Sequence, residues 1–326
     1  MRKRVLRRRA GFTIIELLVS VAMLGIIMVY LLRSFTVQHR TYTVVDETTE
    51  LQQNARAVAD LIERDLRHAG MLVAESGAVC GVDATGGPDI LFVSDADAIS
   101  PGTEKVADFG ADTTATTVAA AATETLDVDG LVAEPSPPRP AYDTDNDGVA
   151  DSDFREGAGV IVTDLADPDR GAACGVVDDI PSATELTVIW RSEGLEAAGT
   201  DLVVIPAHVY EVNAQGALER DGDVLVQNVD DFQVAYFFDG DGDALVDANE
   251  YRGVAGVAYD ASDAAVEENE IREVRVNLVL RTRFEDSTWT QGVFQNLENR
   301  AAVAGTDGFR RRIHTASVRL RNTGNR

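Results

Sequence analysis

The sequence is poor in the residues from which most enzymes and metal centres are built. It has two cysteines, Cys80 and Cys174, and four histidines, His39, His68, His208 and His314. Two distant thiols cannot furnish the clustered ligands of a zinc site, and no two histidines share a spacing such as HExxH. GxSxG, CxxC, the P-loop and the dinucleotide fingerprint are missing as well, so the chain is not expected to be an enzyme. No proline occurs before Pro88, so nothing breaks a helix over that stretch. Positive charge is scarce: 29 Lys and Arg stand against 55 Asp and Glu, a net charge of -26. Such a surface repels a phosphate backbone and excludes nucleic acid as the expected partner. It favours cations and solubility. The share of apolar residues, 45%, is ordinary for a globular protein with a real core.

What positive charge there is crowds the two ends. Six of the first nine residues are Arg or Lys. An apolar run of 21 residues follows, from Phe12 to Leu32, with one charge, Glu16. At about 1.5 Å rise per residue such a run spans a hydrocarbon core of about 30 Å. The basic block is expected to stay cytoplasmic and the remainder to be exported. A secretory signal has a shorter apolar core and a small-residue cleavage site after it, and neither is present. A plain signal anchor fits the length but leaves Glu16 unexplained, because a carboxylate in lipid is costly and usually has a partner.

The stretch Gly11-Phe12-Thr13-Ile14-Ile15-Glu16, behind a basic leader and ahead of an unbroken apolar run, resembles the processing motif of type IV pilins and type II secretion pseudopilins. In that family a membrane peptidase cuts after the glycine and methylates the new N-terminus. The resemblance therefore implies a cut between Gly11 and Phe12, with Glu16 fifth in the mature chain. It also implies that Glu16 meets the Phe12 amine of its own or a neighbouring subunit during assembly. Removing the leader takes away six positive charges and no acids, moving the net charge from -26 to -32.

From Val44 on, Thr48, Leu51, Ala55, Val58, Ile62 and Leu66 recur at helical steps, with polar residues between them. Gly70 is a natural C-terminal stop. The pattern predicts one helix over about 12–69, its first half (12–32) in the membrane and its second half burying one face under a head. The stretches 51–56 and 60–70 resemble the PilW-like minor pilins, and 310–322 resembles that family's C-terminal strand. The expected fold is α+β, a pilin fold: a long N-terminal helix packed on an antiparallel β-sheet head that carries an inserted acidic loop region.

Strands are predicted over 90–93, 159–163, 185–190, 202–209, 223–226, 231–238, 273–284 and 313–321, with a short hairpin turning at Ala214-Gln215-Gly216. Residues 106–130 are rich in Ala and Thr, and 135–140 read Pro-Ser-Pro-Pro-Arg-Pro. Together they suggest an insertion over about 100–158, a loop or stiff linker able to divide the head into two lobes.

Two acidic runs match a calcium-loop ligand order. In the first, Asp143, Asp145 and Asp147 stand at positions one, three and five, Gly148 at six and Asp151 at nine. Position twelve is Phe154, so Asp153 substitutes, as in the calcium repeats of thrombospondin-like modules, which this run resembles. In the second, Asp239, Asp241, Asp243 and Asp247 hold the same places with Glu250 at twelve, but Ala244 stands at position six. Hard divalent cations want six to eight oxygens, and a tight loop aims alternate side chains inward. The expectation is structural calcium; the competing reading is a pair of solvated acidic turns. In an exported head, Cys80 and Cys174 are expected to form a disulfide, two buried thiols being the alternative.

These readings converge on a minor pilin of a type IV pilus. Its expected partners are other major and minor pilins, the prepilin peptidase, the inner-membrane assembly platform and the membrane itself. Its expected location is the inner membrane with the head periplasmic, and then the pilus at the cell surface. A minor pseudopilin of a type II secretion system and a membrane-tethered calcium-binding or adhesive protein are the alternatives.

Overall fold

The computed structural model describes residues 12–71, 73, 75–84, 86–95, 105–108, 120–131, 152–166, 171–192, 194–195, 202–240, 246–247, 249–254, 256–260, 270–286, 288–290, 296–302, 305 and 307–321. The chain divides into two compact units, residues 1–50 and 51–326.

The described part of the first unit is helical. Helix α1 runs Ile14–His68, 55 residues without a break. Every described residue from Phe12 to Thr43 is exposed in the isolated subunit. The helix is long and apolar enough there to cross a membrane.

In the second unit the helical stripe is buried as its spacing requires: Leu51, Ala55, Val58, Ile62 and Leu66 all lie in the core. Gly70 ends the helix in the left-handed region at φ 71°. Its N–H donates to the Ser94 hydroxyl at 2.8 Å, so the chain just past the helix is tied to a strand.

The strands are β1 (Val79–Val82), β2 (Ile90–Ser94), β3 (Lys105–Asp108), β4 (Thr123–Val128), β5 (Gly159–Asp164), β6 (Ala172–Ser182), β7 (Glu185–Trp190), β8 (Leu202–Val212), β9 (Ala217–Arg220), β10 (Asp223–Gln227), β11 (Val229–Phe238), β12 (Tyr251–Arg252), β13 (Ile271–Arg281) and β14 (Arg311–Arg319). All their pairings are antiparallel. All eight expected strands are present.

The larger sheet closes on itself. The order β8-β3-β4-β7-β6-β5 returns to β8, because β8 pairs with both β3 and β5. Alternate residues of these strands, among them Leu126, Val160, Val162, Val177, Leu186, Val188, Trp190, Leu202 and Val204, form an apolar core of their own. The opposite face of β8, including Val203, Ile205, Ala207 and Val209, belongs to the main core with the helix stripe. The outer half of β8 pairs with β2 and β9, extending the sheet beyond the ring. A second sheet, in the order β12-β11-β13-β14, contributes Phe232, Val234, Tyr236, Val274, Val276, Leu278 and Val318 to the main core.

This architecture corrects the reading of residues 106–130 as an unstructured insertion. β3 and β4 fall within that stretch and complete the ring. Its Ala and Thr residues hid the alternation, since Thr123–Val128 exposes polar side chains on one face and buries only Leu126 and Val128 on the other. The head is also not divided into two lobes, for residues 51–326 form one unit with two apolar cores. The proline-rich segment 135–140 lies outside the described residues.

The turn at Ala214-Gln215-Gly216 joins β8 to β9 as expected, with Gly216 at φ 73°. A second turn, Asp221-Gly222, joins β9 to β10, with both residues at positive φ (53° and 80°). Asp-Gly with this geometry is the preferred two-residue hairpin turn.

Cys80 and Cys174 form the expected disulfide, with Cα atoms 6.2 Å apart. It joins β1 to the face of β6 that points away from the ring's interior, and both sulfurs are fully buried in the main core. Gly81 beside it tolerates no side chain, because a Cβ there would collide with the Tyr236 hydroxyl.

Candidate functional site: the N-terminal assembly motif

The motif residues open the helix. Phe12 precedes it, with 87% of its surface exposed, and Thr13 is its N-cap. The Glu16 carboxylate accepts the Thr13 N–H at 2.9 Å and the Thr13 hydroxyl at 2.8 Å. The Glu16 N–H points back to the Thr13 hydroxyl at 3.4 Å. This is a capping box, in which the side chains three residues apart satisfy each other's backbone donors. The Thr-x-x-Glu spacing was legible in the sequence as a cap, a role that the processing motif alone does not suggest. The acid thus sits preorganised one turn from Phe12, in an otherwise apolar segment. Gly11 lies outside the described residues.

Further along the helix, in the second unit, Asp65 is a buried acid that the polar pattern of the sequence did not mark. It accepts the Tyr210 hydroxyl at 2.6 Å and pairs with Arg220 at 2.8 Å. Burial and the neighbouring Asp65 push the Tyr210 phenol above its ordinary range. Beside this group His208 is held between Asp221, at 2.6 Å, and Asp95, at 3.1 Å. Burial alone would lower the imidazole's pKa, but the hydrogen bonds and charges of the two aspartates outweigh it and push it up to about 9. The ring is therefore a cation at neutral pH, paired on both sides. Asp221 also accepts the Val209 N–H at 2.9 Å, so it fastens the β9–β10 turn to β8. The arrangement ties helix, sheet and turn together through charges paired with one another.

Of the proposed calcium ligands, Asp143, Asp145, Asp147, Asp151, Asp241 and Asp243 lie outside the described residues. Asp153 is fully buried, and its N–H donates to the Leu131 carbonyl at 2.7 Å. In the second loop Asp239 is buried, 3.7 Å from the Arg272 guanidinium. Glu250 accepts the Gly240 N–H and the Asp247 N–H, at 2.9 and 2.8 Å. It closes the loop from position twelve, and each oxygen keeps a second lone pair. Among the described residues no three His, Cys, Asp or Glu side chains are grouped to hold a metal.

A single long apolar N-terminal helix, opened by a Phe-Thr-x-x-Glu cap and followed by a curled antiparallel head, is the arrangement of a pilin-like fold. Residues 6–32 match the prokaryotic N-terminal methylation motif, and residues 199–322 match type IV pilus-assembly protein W. The two matched segments, which together cover less than half of the chain, support a PilW-like type IV pilin. It is similar to the type IV-like pilin TTHA1219 from Thermus thermophilus, with 16% identity over 52% of this chain and 88% of that one and a TM-score of 0.25. The identification rests on the two family segments and not on that likeness. No curated protein sequence matches the chain. Five of the ring's six strands, β3–β7, lie ahead of the matched segment 199–322, which begins just before the sixth, β8.

Proposed function

We propose that this type IV pilus minor pilin is cut between Gly11 and Phe12, methylated on the new amine, and incorporated through α1 to prime or extend the filament. The observation that supports this most directly is the Glu16 carboxylate, preorganised on Thr13 one turn from Phe12 in the exposed apolar first part of the helix. A charge in that position needs a partner once it leaves water, and the amine freed at Phe12 supplies one. The partners are then other major and minor pilins, the prepilin peptidase and the inner-membrane assembly platform, with the head periplasmic before assembly. The role is structural and not enzymatic. Intact mass and N-terminal sequencing of protein from membranes test the reading. A chain beginning at methylated Phe12 is expected, and a chain retaining residues 1–11 in a peptidase-competent host would overturn it.

Calcium at the acidic loops belongs to the same proposal, carried by the ligand spacing of the sequence. Glu250, which already closes the second loop, and Asp239 would hold the ion there together with Asp241, Asp243 and Asp247. The ion would neutralise carboxylates that otherwise repel one another. Millimolar calcium is expected to raise the melting temperature of the full chain in detergent, because an ion that binds only the folded state stabilises it by mass action. No rise, against a magnesium control, removes calcium from the account.

A further inference from the structure

β14 is the last strand of its sheet, and among the described residues it pairs with β13 alone. The register between them is unbroken from Glu273 opposite Arg319 to Arg281 opposite Arg311. Just past its two ends, the Leu320 N–H donates to the Arg272 carbonyl and the Thr282 N–H to the Arg310 carbonyl. Antiparallel pairs alternate between bonded and non-bonded positions. The even-numbered residues therefore spend their backbone groups on β13. The N–H and C=O groups of Ile313, Thr315, Ser317 and Arg319 point away from the sheet. The side chains of the same four residues are exposed, Ile313 by 46%.

Native proteins usually blunt such an edge with proline, a bulge or extreme shortness. β14 is nine residues long, contains no proline and shows no register shift. Its one guard is charge. Arg312 and Arg319 are exposed near its two ends, in a chain whose net charge is -26. Charge of this kind rejects some strands and admits others.

We infer that the free edge of β14 accepts an added strand from another pilus subunit, an extended segment with acidic residues placed against Arg312 and Arg319 and small or β-branched residues between them. This rests on the pilin reading. The strand would continue the sheet by main-chain hydrogen bonds to Ile313, Thr315 and Ser317, with charge setting the partner and register. A second copy of this chain fits worse, because β14 itself contains no acidic residue to set against Arg312 and Arg319. A nucleic-acid backbone could meet the arginines. Its phosphates offer acceptors only, so it leaves the outward carbonyls of the strand without donors.

The test uses full-length protein in piliated cells, read as its ratio between the sheared filament fraction and the membrane fraction. Ser317→Pro deletes one outward N–H and leaves the ladder to β13 intact, since proline is tolerated on an edge where its nitrogen faces solvent. Ser317→Ala is the control. Wild type and Ser317→Ala are expected to incorporate equally, and Ser317→Pro at least tenfold less at an unchanged membrane level and melting temperature. Equal incorporation of Ser317→Pro overturns the inference. If Ser317→Pro fails to accumulate, the double variant R312E/R319E, whose charges lie outside the ladder, is read against the same tenfold criterion. Loss in R312E/R319E beside normal incorporation of Ser317→Pro also overturns it, since that is a charge contact without an added strand. Absence of the wild-type protein from filaments instead overturns the pilin reading itself.

Discussion

Replacing Glu16 by valine is expected to leave the protein in the membrane and to lower its share in sheared filaments about a hundredfold, the scale on which breaking a buried ion pair weakens association. Valine favours insertion, since it removes the one charge from the apolar run Phe12–Leu32. The helix survives the change, because its 55 residues do not depend on one cap. What is lost is the counter-charge for the amine at Phe12, which then enters the filament core unpaired. The capping box makes a sharper version of the experiment possible. Glu16→Gln keeps an acceptor for the Thr13 N–H, as glutamine does in other capping boxes, but carries no charge. If charge pairing drives incorporation, Gln behaves like Val; if preorganisation of the helix start suffices, Gln behaves like wild type. Filament incorporation of Glu16→Val at the wild-type level would contradict the proposed role outright.

Loss of the disulfide is expected to have the largest effect on stability. Cys80 and Cys174 are 94 residues apart, and the bond closes a loop that includes strands β3, β4 and β5 of the ring. The chain-entropy model gives about 4–5 kcal/mol for a loop of that order, and secreted domains lose about 2–5 kcal/mol when a native bond is removed. The double replacement C80A/C174A avoids burying two hydroxyls and is expected to lower the unfolding free energy within that range. Urea unfolding of oxidised wild type against the variant measures it. The position of the bond adds a regional signature. It anchors β6, on the ring, to β1, at the edge of the main sheet, whereas β11 and β13 are held by their own long ladder. Hydrogen exchange should therefore accelerate more over 159–190 than over 229–238 and 271–281. Equal stability of the two forms, or uniform acceleration, would show that the staple does not hold the ring in place.

Much of the site was legible because its signals are local. The basic leader, Gly11-Phe12, Glu16 and the apolar run lie within 32 consecutive residues. Helical spacing from Leu51 to Leu66 named the face that is buried, and Gly70 named the stop. Alternation located β13 and β14, two of the strands within the family match. Asp221-Gly222 is a local turn signal as well, lying directly ahead of the strand expected at 223–226.

The features that escaped are those whose cause lies far along the chain. Asp65 reads as one more polar residue on an amphipathic helix; only the approach of Tyr210 and Arg220, from strands about 150 residues later, makes burial of its charge tolerable. His208 likewise has no spacing signal, because its two aspartates come from the end of β2 and from the β9–β10 turn. The closed ring is the clearest case. Each of its strands can be argued from its own residues, but closure depends on β8 offering both edges at the same residues, Val203 and Val204, to β3 and β5 while its two faces serve two cores. By itself the sequence determined the motif, the helix register, the strand alternation and the charge, since periodicity and covalent order are properties of neighbours. Only the tertiary structure decided the closure of the ring, the buried ion pairs and the open edge at β14, since each of these depends on which distant segment supplies the missing hydrogen bond or countercharge.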